Sequence, residues 1–222
     1  MASFIIDDTS AQFTYGGGAW STIDSEAYFG NSTTWPDFSR TTNNSDTGIY
    51  GSLTFVFQGA SFIPKPRDVH DQRTGTSVAF FGNTPTPPSS QWALFYVDGA
   101  PAVHLTFMDP SPPTVDWQWY QSPILPDGKH NITITHMPSV AVDYVVVTAG
   151  QNTQIYGQSI IVDDGDPSIT YGGAWTHNND NYTLYTGDFG HYRDIPYGNG
   201  VHQTTSVGAT AMFSFTGTFI YG

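Results

Sequence analysis

The residues that most often carry catalysis are scattered along this chain. There are no cysteines, which excludes disulfides, thiolate metal sites and cysteine nucleophiles. No serine-nucleophile or zinc-protease motif occurs, and no clustered acidic motif suggests the carboxylate pair of a glycosidase. The histidines also stand apart, without the spacing of metal ligands: His70, His104, His130, His136, His177, His191 and His202. We therefore expect a non-catalytic protein.

Tryptophan is the residue type best placed to bind a ligand. Aromatic faces pack against the C–H patches of neutral sugars, and polar groups bind the hydroxyls. Asp98 and His104 flank the aromatic segments and are candidates for those polar contacts. The alternatives are that each tryptophan belongs to the core and that Asp98 serves a turn. The candidate sugar-binding tryptophans lie in or beside predicted loops: Trp35, Trp92, Trp117 and Trp119.

The composition predicts an all-β protein. The chain has 222 residues, with 15 Phe, 13 Tyr and 6 Trp, but only five Leu and a single Glu, Glu26. Good helix formers are therefore scarce, while aromatic and β-branched residues suit a pleated surface. The net charge of −13, with six Lys plus Arg, excludes nucleic acid and anionic membranes as partners. No apolar stretch is long enough to span a bilayer.

Short alternating segments separated by turns indicate a β-sandwich or jelly roll. Asp98-Gly99 is typical of a type I′ hairpin turn, and Asp127-Gly128 marks a second turn. Val145-Val146-Val147 reads as a buried closing strand. The predicted strands cover residues 52–57, 77–81, 92–97, 102–107, 131–135 and 141–148.

An internal repeat organises the chain. Asp7-Asp8, Tyr15-Gly16-Gly17 and Trp20 return in order as Asp163-Asp164, Tyr171-Gly172-Gly173 and Trp175. We predict one complete jelly-roll repeat over residues 1–149, a linker over 150–154 and the first part of a second repeat over 155–222. Residues 60–73 read as an inserted loop, which is either a surface excursion or a binding loop.

Features of localisation favour an extracellular or cell-surface protein. Four Asn-x-Ser/Thr sequences are candidate glycosylation sites: Asn31, Asn43, Asn131 and Asn181. The first residues have no basic region followed by a long apolar stretch, so we expect no signal peptide in this chain. A cytosolic product is the alternative.

Several motifs together resemble a known family. They are the Asp7-Asp8 opening with Tyr-x-Gly-x-x-Trp (15–20), Gly-Thr-Ser-Val-Ala-Phe-Phe-Gly (75–82), Phe-Tyr-Val-Asp-Gly (95–99), Gln-Ser-Pro-x-Leu-x-Asp-Gly-Lys-His (121–130) and Val-Asp-Tyr-Val (142–145). These resemble the β-jelly-roll ectodomain repeats of mushroom-forming fungi, and the layout is similar to the tandem jelly-roll lectins of oyster-mushroom type. The resemblance implies a secreted, non-catalytic lectin that binds galactose-type sugars on glycans or glycoproteins. The alternatives are a structural or adhesion ectodomain without sugar binding and, less in keeping with the sequence, a glycoside-processing enzyme.

Calcium is the cofactor that this class suggests. In jelly-roll carbohydrate-binding modules the first and last strands lie near each other, and their acids often hold Ca²⁺, a cation that prefers oxygen ligands. Asp7 and Asp8 end the first strand and Asp143 lies in the closing strand, so we predict a site from these three. The opening half recurs at residues 163–166, without a counterpart of Asp143. The alternative is that these carboxylates accept backbone N–H groups in turns.

The partial second repeat raises the question of what covers its apolar face. Its predicted strands near residues 168–171 and 209–220 include Phe213, Phe215 and Ile220. Half a sandwich leaves such residues and its sheet edges exposed, and exposed edges template association. The half-repeat can pack against the first repeat, exchange with another chain or be completed by a missing segment. We expect association or a missing segment, in preference to a self-contained half-repeat.

Overall fold

The computed structural model describes residues 2–26, 28–37, 50–58, 76–84, 92–107, 114–137, 140–150, 153, 155–180, 182–185, 191–194 and 196–217. Over these residues the chain forms strands and two short 3-10 turns, Phe29–Asn31 and Tyr197–Asn199, with no α-helix. Accordingly, none of this described part could cross a membrane as a helix. The predicted loop 60–73, Asn43 and Asn181 lie outside the described residues.

The strands are short throughout. They are β1 (Ser3–Asp7), β2 (Phe13–Gly16), β3 (Trp20–Asp24), β4 (Ser32–Pro36), β5 (Gly51–Gln58), β6 (Ser77–Gly82), β7 (Trp92–Val97), β8 (Val103–Thr106), β9 (Thr114–Val115), β10 (Trp117–Gln121), β11 (Lys129–Met137), β12 (Tyr144–Thr148), β13 (Ser159–Ile161), β14 (Ile169–Gly172), β15 (Thr176–Asn178), β16 (Tyr182–Tyr185), β17 (His191–Asp194), β18 (Val201–Gln203) and β19 (Thr210–Phe213).

Two five-stranded antiparallel sheets build the sandwich. The first has the order β10-β6-β12-β1-β13, and the second has the order β2-β5-β11-β7-β8. β1 pairs with β12, so the first strand and the closing strand of the first repeat are neighbours. The all-β jelly-roll prediction is confirmed.

Strands with one buried face and strands with two buried faces differ in their sequence patterns. In β5, Leu53, Phe55 and Phe57 are buried and the residues between them are half-buried, which is the pattern of a strand with one face on the core. In β12, residues 144–147 are all buried. One face of β12 joins the main core, and the other is part of a smaller cluster on which Phe29 and Tyr197 pack. A strand covered on both faces needs the unbroken apolar run that the sequence shows.

The hairpin between β7 and β8 follows the predicted turn. Asp98 and Gly99 have φ values of 51° and 73°, and the N–H of Ala100 donates to the carbonyl of Val97 at 2.8 Å. Positive φ at both central residues defines a type I′ turn, which matches the twist of the flanking strands.

The two segments that repeat in sequence also repeat their contacts. The Tyr15 hydroxyl donates to the carbonyl of Asp8 at 2.8 Å, and the Tyr171 hydroxyl donates to that of Asp164 at 2.8 Å. Trp20 donates through Nε1 to the carbonyl of Gly16, as Trp175 does to that of Gly172. The pairings of β2 with β5 and β3 with β4 recur as β14 with β19 and β15 with β18.

The second segment joins the first through its opening strand. β13 pairs antiparallel with β1, on the side of β1 that faces away from β12. Tyr197 of the second segment packs on Phe81 of the first, with ring centroids 5.9 Å apart. Other apolar side chains of the second segment are exposed, among them Met212 at 64% and Phe215 at 49%.

Candidate functional site

Several strands end or begin together at one end of the sandwich. Paired residues there join the start of one strand to the end of its neighbour: Gly51 with Met137, Trp92 with Thr106, Trp117 with Gly82, and Tyr144 with Asp7. The connections from β4 to β5, β6 to β7, β8 to β9 and β11 to β12 all leave from this end. We call it the loop end. Binding residues concentrate on such connections over a rigid scaffold.

The predicted calcium residues lie at the loop end. Asp8 directly follows β1 and Asp143 directly precedes β12, and both are fully buried. The N–H of Asp8 donates to the carbonyl of Asp143 at 2.9 Å, so the two residues are neighbours. Both oxygens of Asp8, Oδ1 of Asp143 and Oδ2 of Asp7 are buried without a hydrogen-bond partner among the described residues. Buried carboxylate oxygens without donors suit a hard cation.

The pKa values of these carboxyl groups reflect their burial and their closeness to one another. Burial is the main cause that raises the pKa of Asp8 to about 7. The Thr34 side chain lowers this pKa, and repulsion from the Asp7 carboxylate raises it. Burial raises the pKa of Asp143 far above its usual range, and repulsion from Asp116 and Asp8 adds to it. In the absence of a cation, ionising both groups is therefore unfavourable.

Asp7 divides its two oxygens between a turn and the buried interior. Oδ1 accepts the N–H of Thr9 at 2.9 Å and the Thr9 hydroxyl, which is the turn role that was the alternative to metal binding. Oδ2 faces Gly30, where an added Cβ atom would lie 1.9 Å from it. Gly30 has φ +66°, so both its conformation and its lack of a side chain let the Phe29–Asn31 turn approach this carboxylate.

Four aromatic rings form a stack on the outer face of the second sheet at the loop end. The ring centroids of Trp92 and His104 are 5.0 Å apart, those of Trp92 and His136 are 4.5 Å apart, and those of His136 and Tyr50 are 4.4 Å apart. We call these residues the ring stack. His104 is its exposed member and the other three are half-buried.

The other predicted tryptophans lie in different surroundings. Trp117 packs half-buried against the core, and Trp119 is inside it at 4% exposure, in contact with Phe80 and Phe95. The two share a face, as their spacing suggests, but that face is the interior. Trp35 is half-buried on β4 opposite Ser21. Of these three, Trp119 is too buried to contact a ligand.

Asp98 lies at the opposite end of the sandwich from the ring stack. Its Oδ2 is 2.8 Å from Nδ1 of His130, and its Oδ1 accepts the N–H of Asn131 at 2.8 Å. The N–H of Asn131 and the His130 side chain help to hold the pKa of Asp98 below its usual value, against the effect of burial. These contacts tie the β7–β8 turn to β11.

The described glycosylation candidates are both accessible. Asn31 is exposed at the end of the Phe29–Asn31 turn, and Asn131 is exposed on β11.

Tyr50, His136 and Gly30 are site residues that the sequence analysis above does not predict. Tyr50 and His136 reach the ring stack through the pairing of β5 with β11, which local sequence does not reveal. Gly30 had a signal, because Phe29-Gly30-Asn31 recurs as Tyr197-Gly198-Asn199 with the same contact: a Cβ at Gly198 would lie 1.9 Å from Asp163 Oδ2.

Comparison with known proteins gives similarities in fold. No family model and no curated protein matches the chain. A family 35 carbohydrate-binding module from Clostridium thermocellum matches 68% of this chain over its own full length, with 14% identity and a TM-score of 0.42. An exo-β-1,3-galactanase from Phanerochaete chrysosporium with β-1,3-galactotriose matches 67% of this chain at 14% identity and a TM-score of 0.40. The match spans 30% of the galactanase. At these identities the similarity concerns the fold alone.

Proposed function

We propose that this protein binds carbohydrate without catalysis, through the loop end of its sandwich. The observation that carries the proposal is the ring stack, which brings Trp92 together with His104, His136 and Tyr50 at the loop end, where several strands end or begin. Aromatic surface with adjacent polar groups is the combination that sugar recognition requires.

The ring stack suggests how a pyranose would be held. His104 covers one face of Trp92 and is itself exposed, so a change of its side-chain rotamer uncovers the indole. The C–H face of the sugar would pack there, and the imidazole nitrogens of His104 and His136 would bind hydroxyls. The net charge of −13 favours neutral glycans over acidic ones. Galactose-containing glycans are the first ligands to test, following the resemblance to jelly-roll lectins.

Calcium fits beside this region. Asp7, Asp8 and Asp143 offer buried carboxylate oxygens that lack donors, and these would hold the ion. Bound Ca²⁺ would supply positive charge that compensates their mutual repulsion. By joining the end of β1 to the start of β12, the three residues would keep the loop end in one arrangement.

A glycan array with the intact protein tests the proposal. We expect binding to neutral, galactose-containing glycans, inhibited by the free sugar. Trp92→Ala should abolish the signal because the indole platform is lost, and His104→Ala should weaken it. Tyr156→Ala is the matched control, since Tyr156 is an aromatic residue at 96% exposure outside the ring stack.

Two results would contradict the proposal. The absence of binding to any glycan on a broad array would favour a structural or adhesion ectodomain that does not bind sugar. If the Trp92→Ala variant is folded, as judged by its melting curve, and still binds the glycan, the sugar site is not at the ring stack.

A further inference from the structure

The second segment contains a group of metal-ligating side chains that is separate from the loop-end carboxylates. Asp164 follows β13, His177 lies on β15 and His202 lies on β18. One ligand atom from each of these residues lies within 4.8 Å of the other two. His177 and His202 are directly paired across the antiparallel strands β15 and β18, with ring centroids 4.8 Å apart. Sequence spacing alone gave no sign of this cluster.

The equivalent place in the first segment carries no imidazole. There, Asp8 lies near Thr34, and Thr34 pairs with Thr22 across the β3–β4 hairpin. The threonine hydroxyls are 3.4 Å apart. The second segment thus has a carboxylate and a strand pairing at the same positions, with two histidines in place of two threonines.

From this arrangement we infer that Asp164, His177 and His202 form a site for a transition-metal ion of the Zn²⁺ type. Two imidazole nitrogens and one carboxylate oxygen are ligands that Zn²⁺ accepts in four-coordinate sites, with water in the fourth position. The same set suits Ca²⁺ poorly, because Ca²⁺ prefers six to eight oxygen ligands. The acidic chain also favours a cation at this position.

Two of the three ligands are held in place before metal arrives. Nδ1 of His202 is 2.7 Å from Oδ2 of Asp164, and the backbone N–H of His202 donates to the same oxygen. Tyr171 stacks on the His202 ring with centroids 4.3 Å apart and an interplanar angle of 14°. A metal would take the place of the proton between Nδ1 and Oδ2, since ligands bind in their deprotonated forms.

The third ligand can complete the site with a small movement. Ligand atoms of a tetrahedral Zn²⁺ site lie roughly 3.3 Å apart, from bond lengths of about 2.0 Å. His177 is exposed and can close the remaining distance by rotating. Its Nε2 lies over Gly200, where an added Cβ would be 2.4 Å away. The absence of a side chain at Gly200 therefore leaves room for the ring.

Metal titration of the intact protein tests the inference. Zn²⁺ measured by competition with a chromogenic chelator should bind at one ion per chain, and Co²⁺ should give the intense visible absorption of a tetrahedral complex. His177→Ala and His202→Ala should each lower the Zn²⁺ affinity tenfold or more and remove the Co²⁺ band. Excess Ca²⁺ should leave both signals unchanged.

Control variants come from the same pair of strands. Thr176 and Gln203 are paired neighbours of the two histidines, and both are exposed. Thr176→Ala and Gln203→Ala should retain the parental affinity and spectrum. His177→Ala removes an exposed side chain, so it keeps the test valid if His202→Ala melts early. Zn²⁺ affinity and a Co²⁺ spectrum that persist in folded His177→Ala would overturn the inference, as would the absence of stoichiometric binding to the parent chain.

Discussion

Asp8 is a residue whose protonation should be visible in the stability of the metal-free protein. Its folded pKa of about 7 lies above its ordinary value of 3.8, so folding favours the protonated carboxyl. That contribution is fully present below pH 4 and is lost as the pH rises through about 7. We therefore expect the melting temperature in EDTA to fall over this interval.

Calcium should reverse the loss, because it binds the ionised carboxylates. A ligand at about 100 times its dissociation constant adds about 2.7 kcal/mol to the free energy of unfolding, or roughly 5 to 10 °C for a chain of this size. The difference between melts with Ca²⁺ and with EDTA should be large at pH 7.5 and vanish near pH 4. Asp8→Asn should remove most of it, whereas Asp180→Asn, at an exposed position, should not. Equal melts at pH 7.5 would refute calcium binding here.

At the scale of elements, the Phe29–Asn31 turn shows how a backbone conformation serves a carboxylate. Gly30 and Gly99 both have positive φ, but a Cβ at Gly99 meets nothing within 4 Å. Gly99→Ala should therefore cost only the left-handed strain of about 1–2 kcal/mol. Gly30→Ala should cost more, because it also displaces Asp7, and it should weaken calcium binding. Paired thermal melts with and without Ca²⁺ measure both effects, and equal losses for the two variants would count against the close approach.

The elements also show what sequence can and cannot predict. The bounds of β7 follow directly from alternation and from the Asp98-Gly99 turn, and the buried closing strand follows from its valine run. Trp119 illustrates the limit, since alternation places it on the same face as Trp117 but cannot say that this face is the core. The ring stack and the Asp164–His177–His202 cluster depend on long-range strand pairing, which one sequence does not specify.

For the molecule as a whole, the proposed sites lie in different parts of the fold. The loop end holds the ring stack and the buried carboxylates, while the Asp98–His130 contact braces the opposite end. Asp164, His177 and His202 are not members of the ring stack, so we expect sugar binding and metal binding in the second segment to be independent. We expect Zn²⁺ to leave the glycan affinity unchanged within about twofold, measured by titrating the array ligand at zero and saturating Zn²⁺. A larger shift would indicate that the two segments communicate.

Through the pairing of β13 with β1, the second segment adds an edge strand to the first sheet of the sandwich. Ser3 pairs with Ile161, Phe4 with Ile160 and Ile5 with Ser159. The backbone hydrogen-bonding groups at this edge of β1 therefore have partners within the same chain. A fragment of residues 1–149 should lose this cover and become a receptor for peptides. We expect a synthetic peptide of residues 157–163 to dock there through main-chain hydrogen bonds and to raise the melting temperature of the fragment. A peptide with proline in place of Ile161 should fail to do so, because Ile161 lies opposite Ser3, whose N–H and C=O face β13, and proline there has no N–H to donate. Equal effects of the two peptides would show that the edge of β1 is not the receptor.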